Sequence, residues 1–210
     1  MDSLTNEELA NPSKILVVDD NADIGEILCS LLEGHDMLPL YVASGEKAIE
    51  TFKKTEIDLV LLDVLMPDMD GYTVARHIKE LAPKGVFLPI IILSALNDDR
   101  NKIIGLEYAD DYVTKPFSFE ELMARVKAML RIRALQKEVR LSQERYRCLY
   151  ENVPELCVSL DQQMCISDCN VAFCETFKMP RNHILGKSVL YFFDKDDQLM
   201  IKAFFNNLLQ

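Results

Sequence analysis

The feature that most constrains this chain is a run of apolar residues, 59–62, that ends in one carboxylate, Asp63. Pro67 and Gly71 follow closely and indicate a turn. Continuous apolar runs bounded by turn residues are typical of strands buried on both faces, as in parallel sheets. At the carboxyl end of such a strand, a side chain lies in the crevice where open α/β sheets bind ligands. We therefore predict that Asp63 is a reactive group at a strand tip; the alternative is an aspartate that caps the following turn.

Strand and helix patterns alternate through the first 115 residues. Helical spacing of apolar residues begins after Asn21 or Asp23, either of which can cap a helix, and stops at Gly34. Further helices are predicted from Ser44, after Gly71, and near 98–107. This alternation predicts a doubly wound α/β fold with a five-stranded parallel sheet and helices on both faces. The predicted strands are 14–18, 37–42, 58–62, 88–93 and 111–114.

Polar residues follow four of these five strands. Asp19 and Asp20 follow the first strand, Asp63 the third, Ser94 the fourth and Lys115 the fifth. Converging carboxylates repel one another, and Mg²⁺, which prefers oxygen ligands, relieves that repulsion. A carboxylate left free to attack can form an acyl phosphate, with hydrogen bonds and charge supplied by the hydroxyl and the ammonium. Each residue also has an ordinary explanation, as a buried acid, a cap or a surface lysine, but their joint placement favours a Mg²⁺-dependent phosphoryl site.

Four motifs carry a family resemblance: residues 18–20, 62–71, 93–95 and 114–117. Together they resemble the receiver domain of bacterial two-component response regulators, a flavodoxin-like fold, over residues 13–130. The resemblance implies that Asp63 accepts a phosphoryl group from a histidine kinase or a histidine phosphotransfer protein. It implies a switch in phosphorelay signalling rather than an enzyme. An aspartate-nucleophile phosphohydrolase is the alternative, but that class needs a second Asp at the position of Leu65.

The resemblance also assigns the residues around Asp63. Asp20, Asp63 and the backbone carbonyl of Leu65 would bind Mg²⁺, with assistance from Asp19. Ser94 and Lys115 would bind the phosphoryl group, and the Lys115–Pro116 bond would be cis.

A switch and a water path are implied as well. Tyr112 matches the aromatic position that turns inward when Ser94 is drawn toward the phosphate. Leu65 and Leu96 occupy the positions that flank the path of the attacking water. Neither leucine can orient water by hydrogen bonding, so we predict a long-lived phosphorylated state.

A long helix is predicted after the receiver-like segment. Ser118 and Glu121 form a capping-box pattern, and no Gly or Pro interrupts residues 118–152. Apolar residues then recur at heptad spacing, which predicts a coiled-coil linker over residues 131–150 and a parallel homodimer. The alternative is a helix packed along its own domain. The seam residues are Ala128, Ile132, Leu135, Val139, Ser142, Tyr146 and Leu149.

Residues 151–210 resemble the first half of a PAS sensor domain, with strands at 156–160 and 164–167 and a helix at 170–177. This partial α+β unit lacks about three strands of such a fold, so it is either truncated or completed by a partner. One alternative function is a ligand- or cofactor-sensing PAS protein regulated by the receiver. His183 and the cysteines are better explained as a polar surface group and core thiols than as cofactor ligands.

Composition excludes several classes. The net charge of −11 argues against nucleic acid as a default partner. Residues 120–147 carry eight basic and four acidic side chains, which favour a solvated helix face over DNA or membrane binding. No segment has the length of a membrane span or the pattern of a signal peptide, and no C-x-x-C pair occurs among the six cysteines. We therefore expect a cytoplasmic protein with reduced thiols, no DNA-binding module, and a polar lead-in over residues 1–12.

Overall fold

The computed structural model describes residues 12–95 and 108–208. The chain divides into two compact units, and the boundary in the sequence lies between Glu138 and Val139. The predicted helix near 98–107, Leu96 and nearly all of the N-terminal lead-in lie outside the described residues.

The first unit is built on a five-stranded parallel sheet, as predicted. Its strand order is β2-β1-β3-β4-β5, so β3 lies at the centre. The strands are β1 (Lys14–Val18), β2 (Leu38–Val42), β3 (Leu59–Asp63), β4 (Ile90–Ala95) and β5 (Asp111–Lys115), and three helices are α1 (Ala22–Glu33), α2 (Gly45–Lys54) and α3 (Gly71–Leu81).

Apolar residues on both faces of the sheet explain this architecture. Side chains alternate along each strand, so a continuous apolar strand supplies two cores at once. In β3, Val60 and Leu62 pack in the core on one face, whereas Leu59 and Leu61 pack in the core on the other. All five residues of β3 are buried, Asp63 included.

Side-chain caps fix where the helices begin. The Asn21 side chain accepts hydrogen bonds from the backbone N–H groups of Asp23 and Ile24, so Asn21, not Asp23, caps α1. Ser44 caps α2 and Asp70 caps α3 in the same manner. These caps place the start of each helix immediately beyond a strand or a turn.

Helix α4 runs without interruption over Phe119–Asn152, which confirms the predicted long helix. The Glu121 backbone N–H donates to the Ser118 hydroxyl, one half of the predicted capping box. Leu122, Met123 and Val126 bury the start of α4 against the sheet. Beyond this first part, most of the helix surface is exposed.

The second unit contains an antiparallel pair, β6 (Val158–Leu160) and β7 (Ile166–Cys169). Its remaining elements are α5 (Val171–Phe177), α6 (Arg181–Ile184), a short 3₁₀ helix (Val189–Phe192) and α7 (Lys195–Leu208). Its core contains Ile166, Cys169, Phe173, Ile184 and Val189.

Both strands of the second unit begin two residues later than predicted. The Asp161 carboxylate accepts hydrogen bonds from the backbone N–H groups of Gln163 and Cys165, which extends the turn. The Cys157 N–H donates to a side chain instead of a strand partner. These side-chain bonds replace the strand pairing that the apolar pattern alone suggests. All six cysteines are free thiols.

Among the described residues, no helix combines the length and the apolar character that a membrane crossing requires.

Candidate functional site

The parallel strands bring their carboxyl ends to one edge of the sheet. Asp63 is aligned with Leu93, and β1 and β3 lie side by side. As a result, carboxylate oxygens of Asp19, Asp20 and Asp63 all lie within 4.8 Å of one another. Asp19 and Asp63 are 1% and 6% exposed, whereas Asp20 is open to solvent. Three convergent carboxylate oxygens are a donor set that fits a hard divalent cation.

Lys115, at the end of β5, reaches across this edge. Its Nζ lies 2.6 Å from Oδ1 of Asp63 and 3.1 Å from Oδ2 of Asp19. The Lys115–Pro116 peptide bond is cis, as the resemblance implied. An ammonium group therefore contacts two of the three carboxylates.

The electrostatics of the site reflect burial first and charge second. Burial raises the pKa of the Asp63 carboxyl, and Asp19 and Asp20 raise it further, against the lowering effect of Lys115. Burial lowers the pKa of Lys115, but its hydrogen bonds and charge interactions with Asp63 and Asp19 outweigh burial, so that this pKa is raised. Ionisation of Asp63 in the folded protein is therefore unfavourable, and the neighbouring ammonium offsets part of this free-energy cost.

Backbone contacts hold the acidic residues in place. Oδ1 of Asp19 accepts a hydrogen bond from the Asn21 N–H at 3.0 Å. The Tyr41 hydroxyl, from β2, donates to the Asp19 carbonyl at 3.0 Å. A Cβ atom at Gly71 would lie 2.3 Å from the Asp63 carbonyl oxygen, so the chain returns against β3 only because residue 71 lacks a side chain.

Sequence reasoning missed Tyr41 and the spatial role of Gly71. The sequence indicates a turn at Gly71, but this residue is not among the described glycines with positive φ. The contact of Tyr41 depends on β2 lying beside β1, and no local pattern encodes that order.

The remaining predicted residues are placed as follows. Ser94 is buried near the end of β4, with 3% exposure. Tyr112, on β5, is 41% exposed, so its ring is not in the inward position of the implied switch. Leu65 lies two residues after the end of β3 with 68% exposure, and Leu96 lies outside the described residues.

A parallel sheet with three carboxylates and a lysine at its carboxyl edge defines the class of phosphoryl receivers. Residues 15–127 match the family model of the response regulator receiver domain. This match spans more than half of the chain, so the protein belongs to the response regulator receiver family. Membership places it in phosphorelay signal transduction, as the sequence predicted. Residues 144–210 match the model of the PAS fold.

Individual relatives agree with this assignment. The chain is 43% identical over 125 residues to the "Probable transcriptional regulator ycf27" of Guillardia theta, covering 59% of this chain and 48% of the relative. It is 44% identical over 121 residues to the regulatory protein VanRc of Enterococcus gallinarum, covering 56% and 50%. The chain therefore spans about half the length of the curated relatives it matches. The receiver domain of the Francisella response regulator 1452 has 34% identity and a TM-score of 0.52, with 58% of this chain and 98% of that one covered.

Proposed function

We propose that Asp63 is the phosphoacceptor and that it receives its phosphoryl group from a phosphohistidine of a histidine kinase or phosphotransfer protein. The observation that carries the proposal is the ammonium of Lys115, 2.6 Å from the Asp63 carboxylate among two further acids. An oxygen of Asp63 attacks phosphorus, so the P–O bond forms while the P–N bond of the donor breaks and the imidazole leaves.

The residues around Asp63 would bind Mg²⁺ and the phosphoryl group. Asp19, Asp20, Asp63 and the Leu65 carbonyl would hold Mg²⁺. When bound, this ion supplies positive charge to the phosphoryl oxygens and the carboxylates. The Lys115 ammonium would pair with a phosphoryl oxygen.

Ser94 would donate a hydrogen bond to the phosphoryl group and, with Tyr112, would form the switch. We propose that the protein is such a switch and not a turnover enzyme. Its acyl phosphate is long-lived because Leu65 and Leu96 offer no hydrogen bond to an attacking water.

The linker helix is proposed to pair with a second copy of the chain. Ile132, Leu135 and Val139 are 41%, 52% and 56% exposed, so the seam is not covered in a single chain. At 100° per residue, the seam lies roughly 150° around the helix from the face that Leu122, Met123 and Val126 bury against the sheet. A partner helix can therefore reach the seam without displacing the first unit, which argues against the alternative of a helix packed along its own domain.

The seam composition favours a parallel pair. In the heptad, β-branched Ile132 and Val139 occupy a positions, whereas Leu135 and Leu149 occupy d positions. Among parallel coiled coils, this combination favours two strands over three or four. We propose that the state of Asp63 is relayed through this dimer to the PAS-like unit, with domains at 13–130, 131–150 and 151–210. The cytoplasmic location and the lack of a DNA-binding module stay predictions of the sequence.

Two measurements test the proposal on the full chain. Treatment with acetyl phosphate and Mg²⁺ should add one phosphoryl mass to wild type and none to Asp63→Asn. Beryllofluoride with Mg²⁺ should change the mass in solution of wild type and not that of the variant. An unmodified wild type, or equal modification of the variant, would remove Asp63 from its proposed role.

A further inference from the structure

One side chain of α4, Arg133, binds the first unit at the sheet edge opposite the acidic site. Its Nε donates to Oδ1 of Asp58 at 3.1 Å. Its Nη1 donates to the Phe87 carbonyl at 2.6 Å, and its Nη2 donates to the Ile57 carbonyl at 3.1 Å. The Arg133 side chain is 19% exposed, whereas that of its partner Asp58 is 38% exposed, so the guanidinium is largely buried and the carboxylate is partly open to solvent. The second oxygen of Asp58 accepts from the Lys14 N–H, which begins β1.

The partners of Arg133 precede β3 and β4, two of the strands that carry the candidate site. Ile57 and Asp58 come directly before β3, and Phe87 lies three residues before β4. At their other ends these strands carry Asp63 and Ser94. A five-residue strand spans about 17 Å. The Arg133 guanidinium therefore binds the chain at the ends of β3 and β4 that lie opposite the candidate site.

We propose that Arg133 is a positioning residue that couples the linker helix to the phosphoryl site through β3 and β4. This inference rests on the proposed function, because it needs Asp63 to change state. Both strands are packed on their two faces, and close-packed elements transmit displacement instead of absorbing it. The planar guanidinium binds both strand approaches in one fixed geometry, so a relative shift of β3 and β4 either moves the helix or breaks a hydrogen bond.

The chain provides a matched control. Arg140 lies seven residues after Arg133 on the same side of α4 and is also a b-position arginine in the heptad. Its guanidinium pairs with Glu144 of its own helix at 2.7 Å, and both side chains are largely exposed. Substitution at Arg140 therefore removes an arginine from the helix but leaves the hydrogen bonds of Arg133 to the first unit in place.

The experiment reads the seam by cross-linking in the full chain. Exposed Cys148 is replaced by Ser, and Ser142→Cys places a thiol at a d position of the seam. Disulfide formation between copies is timed with and without beryllofluoride and Mg²⁺. The same measurement is made on Arg133→Gln, Arg133→Lys, Asp58→Asn and Arg140→Gln. Asp63 phosphorylation by acetyl phosphate is followed by intact mass in each variant.

We expect beryllofluoride to change the cross-linking rate of the parent and of Arg140→Gln by about 5- to 150-fold, the usual range of coupling between two sites. In Arg133→Gln the ratio of cross-linking rates with and without beryllofluoride should fall to about 1 while acetyl phosphate still phosphorylates Asp63. A merely structural defect would instead reduce both the cross-linking response and the phosphorylation. Arg133→Lys and Asp58→Asn should give intermediate ratios, because each retains part of the contact set.

The two proposals fail in different ways. A parent protein that shows no response, or no Asp63 adduct, contradicts the proposed function and this inference with it. A normal response in Arg133→Gln contradicts the inference alone. An equal loss of the cross-linking response in Arg140→Gln also contradicts the inference. The effect would then come from the charge of the helix and not from the hydrogen bonds of Arg133 beside β3 and β4.

Discussion

Nζ of Lys115 lies 2.6 Å from Oδ1 of Asp63, and both side chains are largely withdrawn from solvent. The ammonium offsets part of the cost of a buried carboxylate, but burial and the neighbouring acids still leave the pKa of Asp63 raised. The charged form of Asp63 therefore lowers the stability of the fold.

Asp63→Asn should stabilise the first unit at neutral pH in the presence of a chelator, by about 1 kcal/mol, because it removes a buried carboxylate that lies beside two other acids, while Lys115 keeps Asp19 as a partner. The folded-state pKa of Asp63 is raised above the ordinary value of 3.8. The stability linked to this group is therefore fully present below that value and is lost as pH rises through the folded-state pKa. The advantage of the variant should consequently shrink as the solution is acidified. Denaturant titrations at several pH values measure it.

The control for this stability series is Asp68→Asn, an exposed substitution in the loop after β3. It should change the free energy of unfolding at neutral pH by less than about 0.5 kcal/mol, as exposed substitutions usually do. If Asp63→Asn proved less stable than wild type at neutral pH in chelator, the cost assigned to this charge would be wrong.

Leu65→Gln should shorten the life of the phosphorylated state by about tenfold. Leu65 is exposed beside the acidic cluster, and a side-chain amide at this position can orient an attacking water, whereas leucine cannot. Loss of the phosphoryl mass from purified protein with Mg²⁺ measures the rate. Leu65→Met, which is equally unable to orient water, is the matched control and should decay as wild type does. A wild-type half-life of only seconds would contradict the predicted long-lived state.

Gly71→Ala should cost at least about 2 kcal/mol of stability and should slow phosphorylation. The new methyl group would meet the Asp63 carbonyl oxygen at 2.3 Å, a backbone atom that cannot move without shifting Asp63, the proposed phosphoacceptor. Gly34→Ala is the control, because Gly34 ends α1 with helical dihedrals and the nearest atoms to an added Cβ are 3.5 Å away. Thermal unfolding and the rate of the acetyl phosphate reaction give the two readouts. Equal tolerance of both substitutions would show that Gly71 is not needed for close approach.

The candidate site could be predicted because each of its polar residues stands at or near the carboxyl end of a strand pattern in the sequence. Parallel pairing then places those residues at one edge whatever the details of packing, and so Asp19, Asp63 and Lys115 meet. Tyr41 and Arg133 could not be predicted in this way. Their partners lie 22 and 75 residues away in sequence, and both contacts depend on which elements become neighbours in the folded chain.

The second unit shows a different limit. Apolar spacing predicted its hairpin and its first helix, and α5 ends at Phe177 as expected. The strand starts were wrong because the side chains of Asp161 and Asn170 bind the backbone N–H groups of Cys165 and Cys157, which the apolar pattern assigns to strands. Competition of this kind between side-chain and strand hydrogen bonds leaves no periodic signal.

Asn170→Ala should destabilise the second unit by about 3 kcal/mol, because four partners would lose their hydrogen bonds. Asn170 is fully buried, and its Nδ2 donates to the carbonyls of Val153 and Glu155. Its Oδ1 accepts from the N–H groups of Cys157 and Phe173. The side chain thus joins the segment after α4 to β7 and α5.

Amide hydrogen exchange over residues 153–177 measures the effect of Asn170→Ala, with residues 14–63 as an internal reference that should not change. Asn182→Ala, at an exposed position, is the control. Unchanged exchange near Phe173 in Asn170→Ala would contradict the role of this amide.

Leu135→Ala should weaken the proposed dimer by about 2 kcal/mol, which is about a 30-fold rise in the dissociation constant. Leu135 is a d residue of the seam and is 52% exposed in one chain, so a partner helix would bury most of its side chain. Leu141→Ala is a strict comparison, since Leu141 is similarly exposed at 44% but lies at a c position, off the seam. Sedimentation velocity over a range of concentrations gives both constants. Equal weakening by the two substitutions would mean that the copies do not meet through the heptad seam, and a monomeric wild type at every concentration would remove the dimer from the proposed relay.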